Sequence, residues 1–233
     1  MKTITGIALL AASTLMAGLV GTAQAQGDNT IRAGVYLVHY DANAADISGT
    51  GAGAVPPGVN MSVNDVNTLY LAYVRRLSAD FDLEVAAGIP PKTNTTGKGP
   101  STLGSVPYSG QVVSTSRWFA PTFLVNYKFF DESSAFRPYA GIGFNYTHFF
   151  DNTVTPAGNA AFGGPTTLAL TNSVGGAATI GASYRLQDRW SLYGSYSKTR
   201  VKSDMTANTS GVIRKTTIDF WPSAFVISAG YSF

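Results

Sequence analysis

The 233-residue sequence predicts an all-β fold: an eight-stranded antiparallel transmembrane β-barrel with long extracellular loops and short periplasmic turns. Three observations predict it. Apolar and polar residues alternate along stretches longer than ordinary soluble strands. The connectors between these stretches are short and long by turns. Only 12% of residues are charged and 45% are hydrophobic. Even so, after residue 25 there is no apolar run of the roughly 18 residues a membrane helix needs.

Lys2, the apolar stretch "ITGIALLAASTLMAGLVG" and "AQA" ending at Ala25 read as a secretory signal peptide. A membrane anchor is the alternative, but "AQAQGDN" has the form of a cleavage site. The domains are thus 1–25, signal peptide, and 26–233, outer-membrane β-barrel. Cysteine is absent, and the net charge of +3 is spread along the chain. That spread does not point to nucleic acid.

The eight expected strands are Thr30–Tyr40, Asp65–Leu77, Phe81–Pro90, Ser116–Phe130, Phe136–Phe150, Thr171–Leu186, Trp190–Lys202 and Ile218–Phe233. "FRPYAGIGFNYTHFF" has the clearest alternation. Phe136, Pro138, Ala140, Ile142, Phe144, Tyr146, His148 and Phe150 share one oily face. Arg137, Tyr139, Gly141, Gly143, Asn145, Thr147 and Phe149 share the other. The terminal "FVISAGYSF" alternates to its last residue. In hydrocarbon every backbone group needs a protein partner, so a last strand must pair with the first. The turns "SAD", "DESSA" and "QDR" are short. Asp41–Asn64, Pro91–Thr115, Asp151–Leu170 and Ser203–Thr217 read as long loops. A soluble lipocalin-like barrel would carry charge along its outer face, and an immunoglobulin-like sandwich has shorter strands.

With the oily face toward lipid, the other lines the lumen. Arg32, Arg76, Asp82, Glu84, Lys128, Arg137 and Arg185 share the inward parity near the short-turn ends. They form an expected periplasmic plug, either as a barrier to solutes or as a purely stabilising network. Higher up, Tyr36, Val38, Ala86, Gly88, Leu124, Asn145, Thr147, Phe149 and Gly175 face inward. With the loop residues Val55, Val63, Val106, Phe162 and Leu168 they form an expected hydrophobic lumen or simple filling. Pro90 and Pro91 end the third strand and Pro121 lies in the fourth. Proline cannot donate to a ladder, so these three mark an expected lateral opening between strands three and four, or an ordinary strand end and bulge.

"FRPYAGIGFNYTHFFDN" strongly resembles the signature strand of the outer-membrane protein W (OmpW) family. "APTFLVNYKFFDESSAFRPY", "PPGVNMSVND" and "SAGYSF" fit it as well. The resemblance implies an eight-stranded barrel in the outer membrane of a Gram-negative bacterium. It implies an apolar pocket blocked toward the periplasm and passage of small hydrophobic solutes through a side opening, with Pro90 and Pro121 beside it. Ala86 and Ser197 are smaller than some members carry. The expected partners are outer-membrane lipid, hydrophobic solutes and the barrel-assembly machinery, the last through Phe233. A structural or adhesive barrel acting through its loops is the alternative function. Catalysis is not expected. His39 and His148 have lipid-face parity, no catalytic motif occurs, and no cofactor or metal is implied.

Overall fold

The computed structural model describes residues 28–40, 44–187 and 189–233, so the expected signal peptide, 1–25, lies outside the described residues. The alternating segments form strands. β1 (Asn29–His39) rises from the periplasmic end to a first outer loop holding β2 (Ser48–Gly49) and β3 (Asn60–Val63). β4 (Val66–Arg76) descends. β5 (Phe81–Gly88) rises, stops, and the chain resumes as β6 (Lys92–Lys98). A small hairpin, β7 (Thr102–Leu103) and β8 (Val106–Pro107), leads to β9 (Val112–Phe119). That strand stops in turn and the chain descends as β10 (Thr122–Lys128). β11 (Phe136–Val154) is the longest strand. Helix α1 (Pro156–Phe162) and β12 (Thr166–Leu170) follow it, and β13 (Ser173–Arg185) returns. β14 (Trp190–Thr199) runs on into β15 (Val201–Thr209). Their partners β16 (Val212–Phe220) and β17 (Ser223–Ser232) bring the chain back down.

The ring order is β10-β5-β4-β1-β17-β14-β13-β11, and β10–β11 pairing closes it. The seam joins the first and last of the described strands. β1 pairs with β17 from Thr30 opposite Ser232 to His39 opposite Ser223. Phe233 and Asn29 exchange backbone bonds of 2.8 and 3.2 Å. This is why the sequence alternates to its final residue.

Lipid replaces water on the outer face. Ile142 and Val174 are each 73% exposed and Ile227 is 70% exposed. So much bare aliphatic surface is untenable in water but ordinary in hydrocarbon. At the periplasmic rim, Phe81 packs on Tyr127, Tyr127 on Phe129, and Trp190 on Tyr231. These rings form part of an interfacial girdle.

Two of the expected loops are largely strand. Lys92–Lys98 and Val112–Phe119 fall in or across the Pro91–Thr115 segment, and β15–β16 is a hairpin through Ser203–Thr217. Above the membrane both faces of these ribbons can be polar, so Thr, Asn, Ser and Lys hide the two-residue period. The ladder itself needs only backbone. The expected fourth strand, Ser116–Phe130, is divided between β9 and β10.

The outer hairpin is fastened at its base by Arg200. Its Nε and Nη2 donate to the two carboxylate oxygens of Asp219 at 3.2 and 2.8 Å. These hydrogen bonds hold the Asp219 carboxyl below the usual aspartate range. The contribution is complete above the ordinary aspartate pKa and fades as pH falls through the lowered value. A carbon-detected NMR titration should find the Asp219 midpoint depressed, and Arg200→Gln should return it toward normal.

Candidate functional site

The periplasmic half of the lumen is filled by one buried charged centre. Arg32 is 1% exposed. Its Nη1 donates to Glu84 Oε2 at 3.1 Å, and its Nε donates to Ser228 Oγ at 3.3 Å. Asn126 Nδ2 also donates to Glu84 Oε2, at 2.8 Å, while the Tyr70 hydroxyl donates to Oε1. The Arg32 guanidinium lies 4.2 Å from the centre of the Tyr193 ring. A charge taken from water needs this many partners to persist. Beside it, Lys128 Nζ lies 2.9 Å from Asp82.

Small residues on β11 and β13 make the floor possible. A Cβ at Gly141 would stand 2.0 Å from Asn126 Oδ1, and one at Gly181 would stand 2.6 Å from the Tyr139 ring. The other expected plug residues lie lower and fasten the turns instead. Arg137 donates to the carbonyls of Ala79, Phe129 and Phe130. Arg185 is exposed and donates to those of Glu132 and Ser134. Arg76 bonds Ser78 and pairs with Glu132. These arginines saturate turn carbonyls at the mouth, whereas Arg32, Glu84, Asp82 and Lys128 occupy the lumen. The sequence reading also missed the floor's neutral members, Tyr70, Asn126, Tyr139 and Tyr193. Their only signal was inward parity.

Above the floor lies a cavity of about 1190 Å³ of empty volume, open solvent included. Tyr36, Val38, Ala86, Leu124, Phe149, Asn145 and Thr147 line it, joined by Val63 and Leu168 from the loops. Val226, Met61, Met205, Ile218 and Phe220 add apolar surface. Gly88, Gly175, Val55, Val106 and Phe162 do not line it. Phe162 instead packs with Ile47, Val59, Met61, Tyr108, Val113 and Met205 in a core within the loops. Tyr40, Trp118 and a set of Ser and Thr hydroxyls from β6, β9 and β14 complete the wall.

The wall is interrupted at the level of this cavity. β10 pairs with β5 up to Thr122 opposite Ala86, and pairing resumes only where Lys92 of β6 meets Arg117 of β9. The same register would next oppose Gly88 to Ala120, but the ladder lapses there. Pro90, Pro91 and Pro121 all fall in the lapse. Their effects differ. The Ile89 N–H donates to Leu69 on the β4 side. By strand alternation the next amide faces the break, and that residue is Pro90, which has no N–H. Pro121 accepts from Tyr146 N at 3.0 Å, so its own missing donor faces β11.

Asn145 repairs the other lip. Its Nδ2 donates to Thr122 Oγ1 at 2.8 Å and to the carbonyls of Ala120 and Pro121 at 3.2 and 3.3 Å. Thr147 Oγ1 donates to Asn145 Oδ1 at 2.7 Å and fixes the amide's orientation. From inside, Trp118 Nε1 donates to Thr93 Oγ1 at 2.9 Å across the upper edge. Asn145→Leu keeps the bulk but orphans these acceptors. It should lower unfolding free energy by about 1–3 kcal/mol, measurable by urea titration in detergent micelles, while Thr147→Val should cost less.

The histidines point away from the cavity. His39 Nδ1 lies 2.6 Å from Asp65 at the exposed outer rim, and His148 bonds Asn172 and stacks on Phe150.

Known proteins share this construction. The sequence pattern of the OmpW family matches residues 25–233. Outer membrane protein W of Vibrio cholerae is 30% identical over 234 residues, covering 100% of this chain and 99% of that protein. The crystal structure of the outer membrane protein OprG from Pseudomonas aeruginosa superposes with a TM-score of 0.78 at 25% identity, covering 89% of this chain and 96% of that one. The solid-state NMR structure of outer membrane protein AlkL in lipid bilayers gives 0.65 at 18% identity, covering 91% and 94%. The full-length match, the closed eight-stave ring and its bare aliphatic belt together make this chain a member of the OmpW family, a β-barrel of the Gram-negative outer membrane.

Proposed function

We propose that the barrel admits small hydrophobic molecules passively from outside, holds them in the apolar upper lumen and releases them sideways into the membrane. The exit is the break between β5–β6 and β9–β10, bounded by Pro90, Pro91 and Pro121. The observation that carries this reading is the coincidence of a sealed floor and a lapsed ladder at cavity height. A solute resting above Glu84 and its buried partner Arg32 has no straight path down. The unpaired stretch beside it leads to hydrocarbon, where an apolar molecule is more stable than in water. Such passage needs no energy source and no catalytic group. Phe233, fixed at the seam, is the contact offered to the barrel-assembly machinery.

The test is uptake by cells with and without the protein, using apolar and polar solutes of equal size. Loss of the protein should slow apolar uptake selectively. Equal slowing of both, or of neither, overturns the reading and favours a structural or adhesive barrel.

A further inference from the structure

The upper lip of the break bears two cations at one spot. Where pairing resumes, Lys92 stands directly opposite Arg117. Thr93, Ser116 and Trp118 line the cavity, so by alternation Lys92 and Arg117 point outward, and both are exposed. Like charges directly opposite on one sheet face repel each other. The nearby acid, Asp151, has its carboxylate 3.9 Å from Arg117 Nε and is itself 71% exposed. One carboxylate leaves the pair with a net positive charge.

Their height matters as much as their charge. Below, Ile89 and, farther down β11 from the Phe150 that faces Arg117, Tyr146 and Phe144 are exposed residues of the outer wall. Just above, β6 and β9 continue as the polar ribbons of the outer loops. Lys92 and Arg117 therefore stand where hydrocarbon gives way to headgroups. A planar guanidinium beside an ammonium suits a phosphate, whose oxygens can accept from both at once. Anionic lipid headgroups are attracted to such basic sites at the membrane surface.

We propose that Lys92 and Arg117 seat the phosphate of an anionic outer-leaflet glycolipid, whose acyl chains run down the outer wall across the break. This rests on the break being the exit: a departing solute would pass first onto the chains of a held lipid.

The mature barrel is placed in phosphatidylcholine nanodiscs doped with a diphosphorylated acyl-glucosamine disaccharide, or with the same lipid lacking its phosphates. Lipid retained per barrel after detergent extraction is counted by native mass spectrometry. The unmodified barrel should retain about tenfold more phosphorylated lipid than Lys92→Gln/Arg117→Gln. The phosphate-free lipid should show no such difference, and excess inorganic phosphate should leave retention largely intact. Equal retention by the variant would overturn the proposal. So would equal holding of the phosphate-free lipid, and so would full displacement by inorganic phosphate, which would make this a free-anion site. Retention is scored without transport. Unchanged uptake in a Pro90→Val/Pro121→Val barrel would sink the exit alone, and lost phosphate selectivity would sink the lipid seat alone.

Discussion

Arg32→Ala is expected to lower the unfolding free energy of the barrel by about 3–5 kcal/mol, because it leaves Glu84 charged and buried without its partner. The guanidinium is enclosed by Tyr70, Tyr193, Ser228 and Glu84. Urea unfolding in micelles, followed by tryptophan fluorescence, measures the change. The paired variant Arg32→Met/Glu84→Gln should recover much of the loss, since replacing both charges removes the stranded carboxylate. Equal destabilisation of the single and paired variants would show that packing, and not charge, governs this layer.

Uptake of apolar solutes should fall by about tenfold when Pro90 and Pro121 are both replaced by valine, the effect of one or two regained ladder bonds on the share of open walls. Pro90→Val would supply an N–H toward the break. Pro121→Val would supply one toward β11 in the stretch that Asn145 now spans. Transport of labelled apolar solutes into proteoliposomes, set against the heat-modifiable folded band on a gel, separates closure from misfolding. Unchanged uptake by a correctly folded variant would refute the side exit. Pro90→Val alone should have the larger share of the effect, because its amide faces the neighbouring stave.

The membrane-embedded part of the fold was legible in the residues because lipid on one side and a narrow lumen on the other impose a strict two-residue period. Ile142, Phe144 and Tyr146 against Asn145 and Thr147 carry that period without exception. Above the membrane the constraint disappears. "KTNTTGK" and "VKSDMTANT" are strands whose outward residues meet water, so they read as loops. The charged centre was half legible. Inward parity picked out Arg32 and Glu84. Parity alone cannot say how far toward the mouth a long arginine reaches, and Arg76, Arg137 and Arg185 turned to the turn carbonyls. The prolines located the break, but the amide directions that distinguish Pro90 from Pro121 follow from register, which one strand cannot reveal by itself. Asn145 looked like lumen filling. Its bonds to Ala120 and Pro121 depend on the gap between β9 and β10 in the neighbouring stave, far back along the sequence.

The seam has a kinetic consequence. Thr30 and Ser232, bonded at 2.9 Å, are 202 positions apart. Contacts so distant along a chain are among the slowest to form. Until synthesis and export deliver the C-terminal segment, the free edge of β1 has no mate and is open to pairing with a foreign strand. The rate of correct maturation should therefore be governed by how long that edge can be sheltered.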